Sequence, residues 1–218
     1  SLYVKTLEKC GLEVKVLNSL ENFPDSIFIE DPALVFKEFC ILLRPREKSR
    51  IGETVDLKGE VSKIFEGIYF IEEGSVEGGD VLRIKNHFFI GLSDRTNLKG
   101  ANELAKILVF LGASVEITNT PRGILHFKSD CSLLDNETIL MTKKMHKAKI
   151  FNDRCRVLEV PEGEDLAANA LRINDSLLIA EGFPKTFSLL SQKYNVVSVE
   201  VNEVSKVDAG LSCMSLRW

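Results

Sequence analysis

The sequence predicts an α/β protein assembled as a ring of repeated strand, strand, helix, strand modules, and three observations lead there. The first is self-similarity: Val81 to Asn86 followed by His87 to Gly91 has the same form as Ala170 to Asp175 followed by Ser176 to Ala180, an apolar run, a polar turn and a second apolar run. Looser copies run from Ala33 to Phe36 through Lys37 and Glu38 to Cys40–Leu43, and from Cys131 to Leu134 through Asp135 and Asn136 to Thr138–Met141. The second observation is a helix signal behind the hairpins. Leu104, Ile107, Leu108 and Leu111 fall at helical spacing, Gly112 supplies a C-terminal stop, and an apolar strand comes next. The third is the interval. From Leu34 to Leu82, Leu133 and Leu171 the steps are 48, 51 and 38 residues, the length of a propeller blade, but with a helix inside each unit.

Taken in order, Tyr3, Leu7 and Cys10 mark a first helix that Gly11 ends, and Leu12 to Leu17 reads as a strand, so the chain opens on the second half of a module. Ser26 to Ile29 reads as a strand between Asp25 and the pair Glu30–Asp31. After the second hairpin and its helix, Ala113–Ile117 is a strand. Ile124–Ser129, behind the turn Pro121–Gly123, is read as another. In the last module Pro184 opens a helix through Phe187 and Leu190 that leads to the strand Val196–Val201.

Composition sets the class of protein. Of 218 residues, 44% are hydrophobic and 28% charged, enough to close a core and too ordered a mixture for a disordered tail. With 28 Lys plus Arg against 32 Asp plus Glu there is no basic field to hold nucleic acid. No apolar run approaches the roughly 20 residues that span a bilayer, so a cytoplasmic protein without a membrane partner is expected. Five cysteines, an odd number with no CxxC, argue against a disulfide framework and a structural zinc site. A single domain over residues 1–218 is expected, with no metal and no cofactor.

Chemistry is sought at strand ends, which a ring of modules points toward its axis. Three acidic clusters qualify: Asp25 with Glu30–Asp31; Glu77-Gly78-Gly79-Asp80, whose glycines permit close backbone approach; and Asp208. Each also reads as a plain turn or cap. His126, in a short apolar segment, is the best acid/base candidate, with a structural histidine the alternative. His87, in a hairpin turn, and His146, in a basic run, read as solvated surface. Cys213, entered by a turn with a carboxylate nearby, suits a nucleophile at a strand end. Cys10 and Cys40 read as packing, and Cys131 and Cys155 have no context that suggests more. Arg50 and Arg95 stand in loops after hairpins, where a guanidinium can take a carboxylate in bidentate fashion or simply face water.

In order along the chain, Pro24–Asp31, Arg44-Pro45 with Ser49-Arg50, Glu77–Leu82, Gly91–Asn97, Leu125–Ser129, Ala167–Asn169, and Val207-Asp208 with Leu211–Cys213 resemble the dimethylarginine dimethylaminohydrolases. These are cysteine hydrolases of the guanidine-modifying superfamily, five-module α/β propellers of ββαβ units, also called penteins. Arginine deiminases share Glu-Gly-Gly-Asp and a late cysteine, while Lys128 stands where they usually carry an acidic residue. The resemblance implies Cys213 as nucleophile, His126 as general acid/base and Asp80 as the carboxylate that orients it. It implies a substrate guanidinium held by Asp25, Glu30, Asp31 and Asp208 beside Val207, and an α-carboxylate held by Arg50 and Arg95. A bound guanidinium would favour the thiolate.

The reaction implied is hydrolysis of a methylated arginine to citrulline and a methylamine through a covalent thiouronium. The partner is then a small guanidine, in a chain that leaves room for a homodimer. Relatives usually carry a further N-terminal strand and a loop over the substrate, so the first module is expected to be incomplete. A deiminase acting on free arginine and a catalytically silent propeller module are the alternatives.

Overall fold

The computed structural model describes residues 1–151, 154–207 and 209–218, with the side chain of Asn202 outside the description. In chain order the elements are α1 (Leu2–Lys9), β1 (Ala33–Val35), β2 (Phe39–Leu42), α2 (Ile51–Val61), β3 (Gly67–Phe70), β4 (Val81–Ile84), β5 (His87–Leu92), α3 (Leu98–Phe110) and β6 (Ser114–Asn119). They continue with β7 (Cys131–Leu133), β8 (Thr138–Met141), α4 (Lys143–Lys147), β9 (Arg156–Glu159), β10 (Leu171–Ile173), β11 (Ser176–Ala180), α5 (Pro184–Ser191), β12 (Asn195–Val199) and α6 (Asn202–Ser205).

The strands form four three-stranded sheets, β1-β2-β3, β4-β5-β6, β7-β8-β9 and β10-β11-β12. In each, the first two strands form an antiparallel hairpin and the third runs parallel to the second. A parallel neighbour needs a crossover, and the helix between the second and third strands provides it. The module predicted from the repeat is therefore present four times among the described residues.

Two compact units contain these modules. One comprises Ser19–Phe127 with Cys213–Trp218, and the other comprises Ser1–Asn18 with Lys128–Ser212. In the first, Ile41, Val81, Phe88 and Ile90 from the sheets pack with Leu43, just beyond β2, and with Ala101, Leu104 and Leu108 of α3 into one buried cluster. Leu104 and Leu108, four apart and fully buried, are the centre of that face, while Ile107 and Leu111 pack at its margin. Burial of each leucine is worth about 1.5–3 kcal/mol. In the second unit Leu134, Leu140, Ala167, Leu177, Ile179 and Leu190 form the corresponding cluster.

Turn chemistry follows the repeat. β4 and β5 close over Lys85–Asn86, and β10 and β11 over Asn174–Asp175, with Lys85 at φ 57° and Asn174 at φ 50°. Gly112 ends α3 at φ 86°, as its place after the apolar stripe predicted.

Three predicted strands are not strands. Leu12–Leu17 carries no ladder partner among the described residues. Ser26–Ile29 is a run of turns, in which the Ser26, Phe28 and Asp31 amides donate to the carbonyls of Phe23, Asp25 and Phe28. Ile124–Ser129 ends in a 3₁₀ turn over Phe127–Ser129. An apolar run becomes a strand only when a neighbour accepts its ladder, and in the last two segments the amides are drawn into local turns or onto a side chain instead. The last strand also lies slightly earlier than predicted, at Asn195–Val199, and His87 opens β5, with Nδ1 2.7 Å from the Ser114 hydroxyl, rather than sitting in the turn.

The N-cap of α3 ties this fold to its loops, since Asn97 Oδ1 accepts from the Gly100 amide at 2.9 Å and the Ser75 amide at 3.2 Å. Asn97→Ala is expected to lower unfolding stability by about 1–2 kcal/mol in urea titration, the usual cost of losing such a cap. An unchanged midpoint would contradict that.

Candidate active site

The site is built in the unit Ser19–Phe127 with Cys213–Trp218. Its centre is the Glu77-Gly78-Gly79-Asp80 segment, which turns as a short 3₁₀ helix immediately before β4. Both glycines are there for proximity. A Cβ on Gly78 would lie 2.0 Å from the Glu30 carbonyl oxygen, and one on Gly79 2.7 Å from Cγ of the His126 ring. Neither distance tolerates a side chain, so the sequence bearing two carboxylates can press against a histidine only with glycine between them.

His126 is buried and its Nε2 lies 2.7 Å from Glu77 Oε2. Glu77 has no exposed surface, and its other oxygen accepts from the Arg46 amide at 3.0 Å. The carboxylate that holds the histidine is thus Glu77, in the place expected of Asp80. Asp80, equally buried, has its oxygens turned to the Ser93 hydroxyl at 2.6 Å and the Phe127 amide at 2.9 Å, and fixes the backbone that carries His126. Glu77 and Asp80 lie in one motif three residues apart, so the signal was in the sequence. Which of the two meets the ring is decided by the 3₁₀ turn between them.

Electrostatics follow from this packing. Burial by itself pushes the His126 pKa down, but the Glu77 hydrogen bond and the charges of Asp31, Asp80 and Glu77 outweigh it, leaving the imidazole raised to about 9. Burial acts to raise Glu77, yet the His126 bond and charge, the Arg46 amide and Arg50 together lower it. Asp80 is raised, because burial exceeds the relief from His126, Ser93, Thr96 and Phe127. The His126–Glu77 pair is therefore an ion pair at neutral pH.

Asp31 is the next group. Its Oδ1 accepts from the Gly79 amide at 3.2 Å and its Oδ2 from Arg50 Nη1 at 2.6 Å, while its backbone carbonyl takes the Gly78 amide. Arg50, buried at the start of α2, also gives Nε and Nη2 to Glu53 and Nη2 to the carbonyls of Asp25 and Phe28. Most of its donors are taken up inside the protein, which leaves a single Nη1 hydrogen for the expected role of clamping a substrate carboxylate. Arg95 differs. It is partly exposed, its Nη1 pairs at 3.1 Å with the half-exposed Glu47, and its amide donates to the Ser93 hydroxyl that holds Asp80.

Cys213 lies in the 3₁₀ turn Ser212–Met214, half-buried and outside any disulfide, and its carbonyl accepts from the Glu30 amide at 3.1 Å. Glu30 holds the same segment a second time, through Arg217 Nη2 at 3.1 Å. One unit thus brings Asp25, Glu30, Asp31, Arg50, Asp80, His126 and Cys213 into a continuous set of contacts, with Arg95 joined through Ser93. Glu53, Arg217 and the orienting role of Glu77 were not read from the sequence. Arg50 and Glu53 at helical i,i+3 spacing was an available signal, whereas nothing local foretells Glu30 with Arg217. Val207 is exposed in a turn of the other unit, and Asp208 lies outside the described residues. Cys10, Cys40, Cys131 and Cys155 are likewise outside any disulfide, and burial pushes Cys40 up to about 12. That other unit also has a cavity of about 160 Å³ lined by Asn169, Glu181 and Phe183 among others.

Donor atoms of Asp31, Glu77 and His126 lie within 4.8 Å of one another, a spacing that could hold a metal ion. In each carboxylate, however, both oxygens are engaged, and the Glu77 and His126 donors are bound to each other. The chemistry of the arrangement suits proton transfer: a buried, charged imidazole beside carboxylates, in the unit that also carries the Cys213 thiol.

A family model described as arginine deiminase matches residues 56–162. The dimethylarginine dimethylaminohydrolase of Pseudomonas aeruginosa is 35% identical over 99% of this chain and 85% of its own length, and that of Streptomyces coelicolor 31% identical over 99% and 83%. A structure of the Pseudomonas enzyme, a cysteine-to-serine variant complexed with citrulline, superposes with a TM-score of 0.95 at 34% identity, covering 99% of this chain and 85% of that one. The N-terminal domain of a cyanobacterial arginine dihydrolase, at 20% identity and a TM-score of 0.87 over 99% of this chain and 83% of that one, shares the fold. Fold and site together define a cysteine hydrolase of the α/β-propeller, or pentein, class. Within it, the chain belongs to the dimethylarginine dimethylaminohydrolase family.

The ion pair makes stability depend on pH. The His126 contribution is complete below its unfolded value near 6.5 and is lost as pH rises through about 9, and that of Glu77 is present above about 4.3 and lost as pH falls through its lowered folded value. Urea unfolding should show a plateau between about pH 4.5 and 6.5 and a decline from there to about pH 9. Glu77→Gln is expected to lower the plateau by about 3 kcal/mol and flatten the alkaline decline. Equal alkaline slopes in the two proteins would contradict the pairing.

Proposed function

We propose that residues 1–218 form one catalytic domain that hydrolyses Nω-methylated arginine to citrulline and a methylamine. The observation that carries this reading is the buried His126–Glu77 ion pair packed against Asp31, in the unit where Glu30 anchors the Cys213 segment. Family membership supports the substrate class, and citrulline is the ligand of the similar Pseudomonas structure.

In this reading the Cys213 thiolate attacks the guanidinium carbon and forms a C–S bond. His126, charged at neutral pH, gives its proton to the methylated nitrogen, and the C–N bond breaks to release the amine. The neutral imidazole then takes a proton from water, whose oxygen attacks the thiouronium carbon. The C–S bond breaks, returning the thiolate, and the remaining hydroxyl proton passes to water or the released amine, leaving the ureido carbonyl of citrulline. Asp25 and Asp31, with Asp208 and Val207 from the resemblance, serve the guanidinium end. Arg95 is the guanidinium left for the α-carboxylate, since Glu47 is an exposed partner that a substrate can displace. Glu30 acts mainly by fixing the nucleophile's segment, and Asp80 by fixing that of His126.

A deiminase acting on free arginine uses the same groups, and the match of residues 56–162 to the arginine deiminase model favours keeping it as the second reading. A cytoplasmic homodimer belongs to the same proposal. Among the described residues no helix is long and apolar enough to cross a membrane, and sedimentation velocity tests the assembly.

A citrulline assay with dimethylarginine, monomethylarginine and arginine decides between the two. The methylated substrates should have the higher kcat/KM, and a preference for arginine would establish the deiminase reading instead. Cys213→Ser should remain folded and lose at least about 10³-fold in kcat. Chloroacetamidine should label Cys213 before the other four cysteines; a label mapped elsewhere, or activity in Cys213→Ser, would overturn the mechanism. Arg95→Lys should raise KM about tenfold with little change in kcat, because a point charge replaces a fork.

A further inference from the structure

We propose that Glu53 is a positioning residue for catalysis, acting through Arg50 and Asp31 on the charge of the guanidinium site. This role rests on the hydrolase reading. Its basis is a buried relay. Glu53, on the first turn of α2, accepts from Arg50 Nε at 3.1 Å on both oxygens and from Nη2 at 2.8 Å. Arg50 passes Nη1 to Asp31 at 2.6 Å, and Asp31 takes the amide of Gly79, the residue packed against the His126 ring. Glu53, Arg50 and Asp31 are each at most 5% exposed.

A structural ion pair needs one carboxylate for one guanidinium. Here Arg50 meets two, so the relay of Glu53, Arg50 and Asp31 carries an excess negative charge. Without Glu53, Arg50 would neutralise Asp31 and remove the field that favours both a substrate guanidinium and a protonated His126. Glu53 divides the hydrogen bonds of the guanidinium and leaves Asp31 partly uncompensated on the side that faces His126. Burial opposes the Glu53 charge and raises its pKa against the effect of Arg50, which marks the arrangement as held at a cost to stability.

The test is Glu53→Gln, which keeps shape and hydrogen-bonding reach, compared with Glu53→Asp, which keeps charge. Wild-type turnover of methylated arginine is measured first, since its absence would defeat the hydrolase reading rather than this one. Given turnover, Glu53→Gln should raise KM about tenfold and move the alkaline limb of the kcat/KM profile down by about half a pH unit or more, while kcat at the optimum falls less than about threefold. Glu53→Asp should keep the wild-type limb. A folded Glu53→Gln protein with wild-type KM and limb, or equal deficits in the two variants, would overturn the proposal. Should Glu53→Gln fail to fold, Glu53→Asp decides alone: a wild-type limb supports the relay, and a displaced limb with the charge retained refutes it.

Discussion

A protonated imidazole inside a protein is unstable unless carboxylates surround it, and the active unit is arranged around that constraint. His126 is buried deeply enough that desolvation alone would leave it neutral, and Glu77, Asp31 and Asp80 reverse the outcome. Three acids can stand so close to one ring only if the backbone between them has no side chains, hence Gly78 and Gly79. The acids in turn must be kept from repelling one another, hence the amides of Arg46, Gly79 and Phe127, the Ser93 hydroxyl and the buried Arg50. Charged imidazole, glycine pair and buried arginine are one solution to one electrostatic problem.

The proposed nucleophile is placed by different means. Cys213 is far from the other groups in sequence, and its segment is held by the backbone of Glu30 and by the Glu30–Arg217 pair rather than by a sheet. Glu30 and Asp31 are neighbours, so a single turn faces the thiol segment with one residue and the histidine with the next.

Much of this was legible. Hairpins with short polar turns announce themselves by apolar runs of matched length, and α3 by Leu104, Leu108 and Gly112, because these signals depend only on near neighbours. Leu12–Leu17, Ser26–Ile29 and Ile124–Ser129 have the same local look but no ladder to join, and pairing is a tertiary property. The site residues were recognised as types. Their division of labour was not, since Glu77 and Asp80 differ only in where one 3₁₀ turn aims them, and reading Arg50 as a clamp overlooked Glu53 one helical turn away. Glu30 with Arg217 bridges 187 positions and leaves no local trace.

In the proposed mechanism His126 donates a proton, and its pairing with Glu77 keeps it charged at neutral pH for that step. The most direct measurement is an NMR titration of the His126 ring in the free protein, with His87 and His146 assigned by substitution. A midpoint near 9 is expected, one that falls in both Glu77→Gln and Asp80→Asn and falls further in Glu77→Gln, which also loses the hydrogen bond to the ring. A midpoint near the ordinary histidine value of about 6.5, or one indifferent to Glu77, would contradict the pairing.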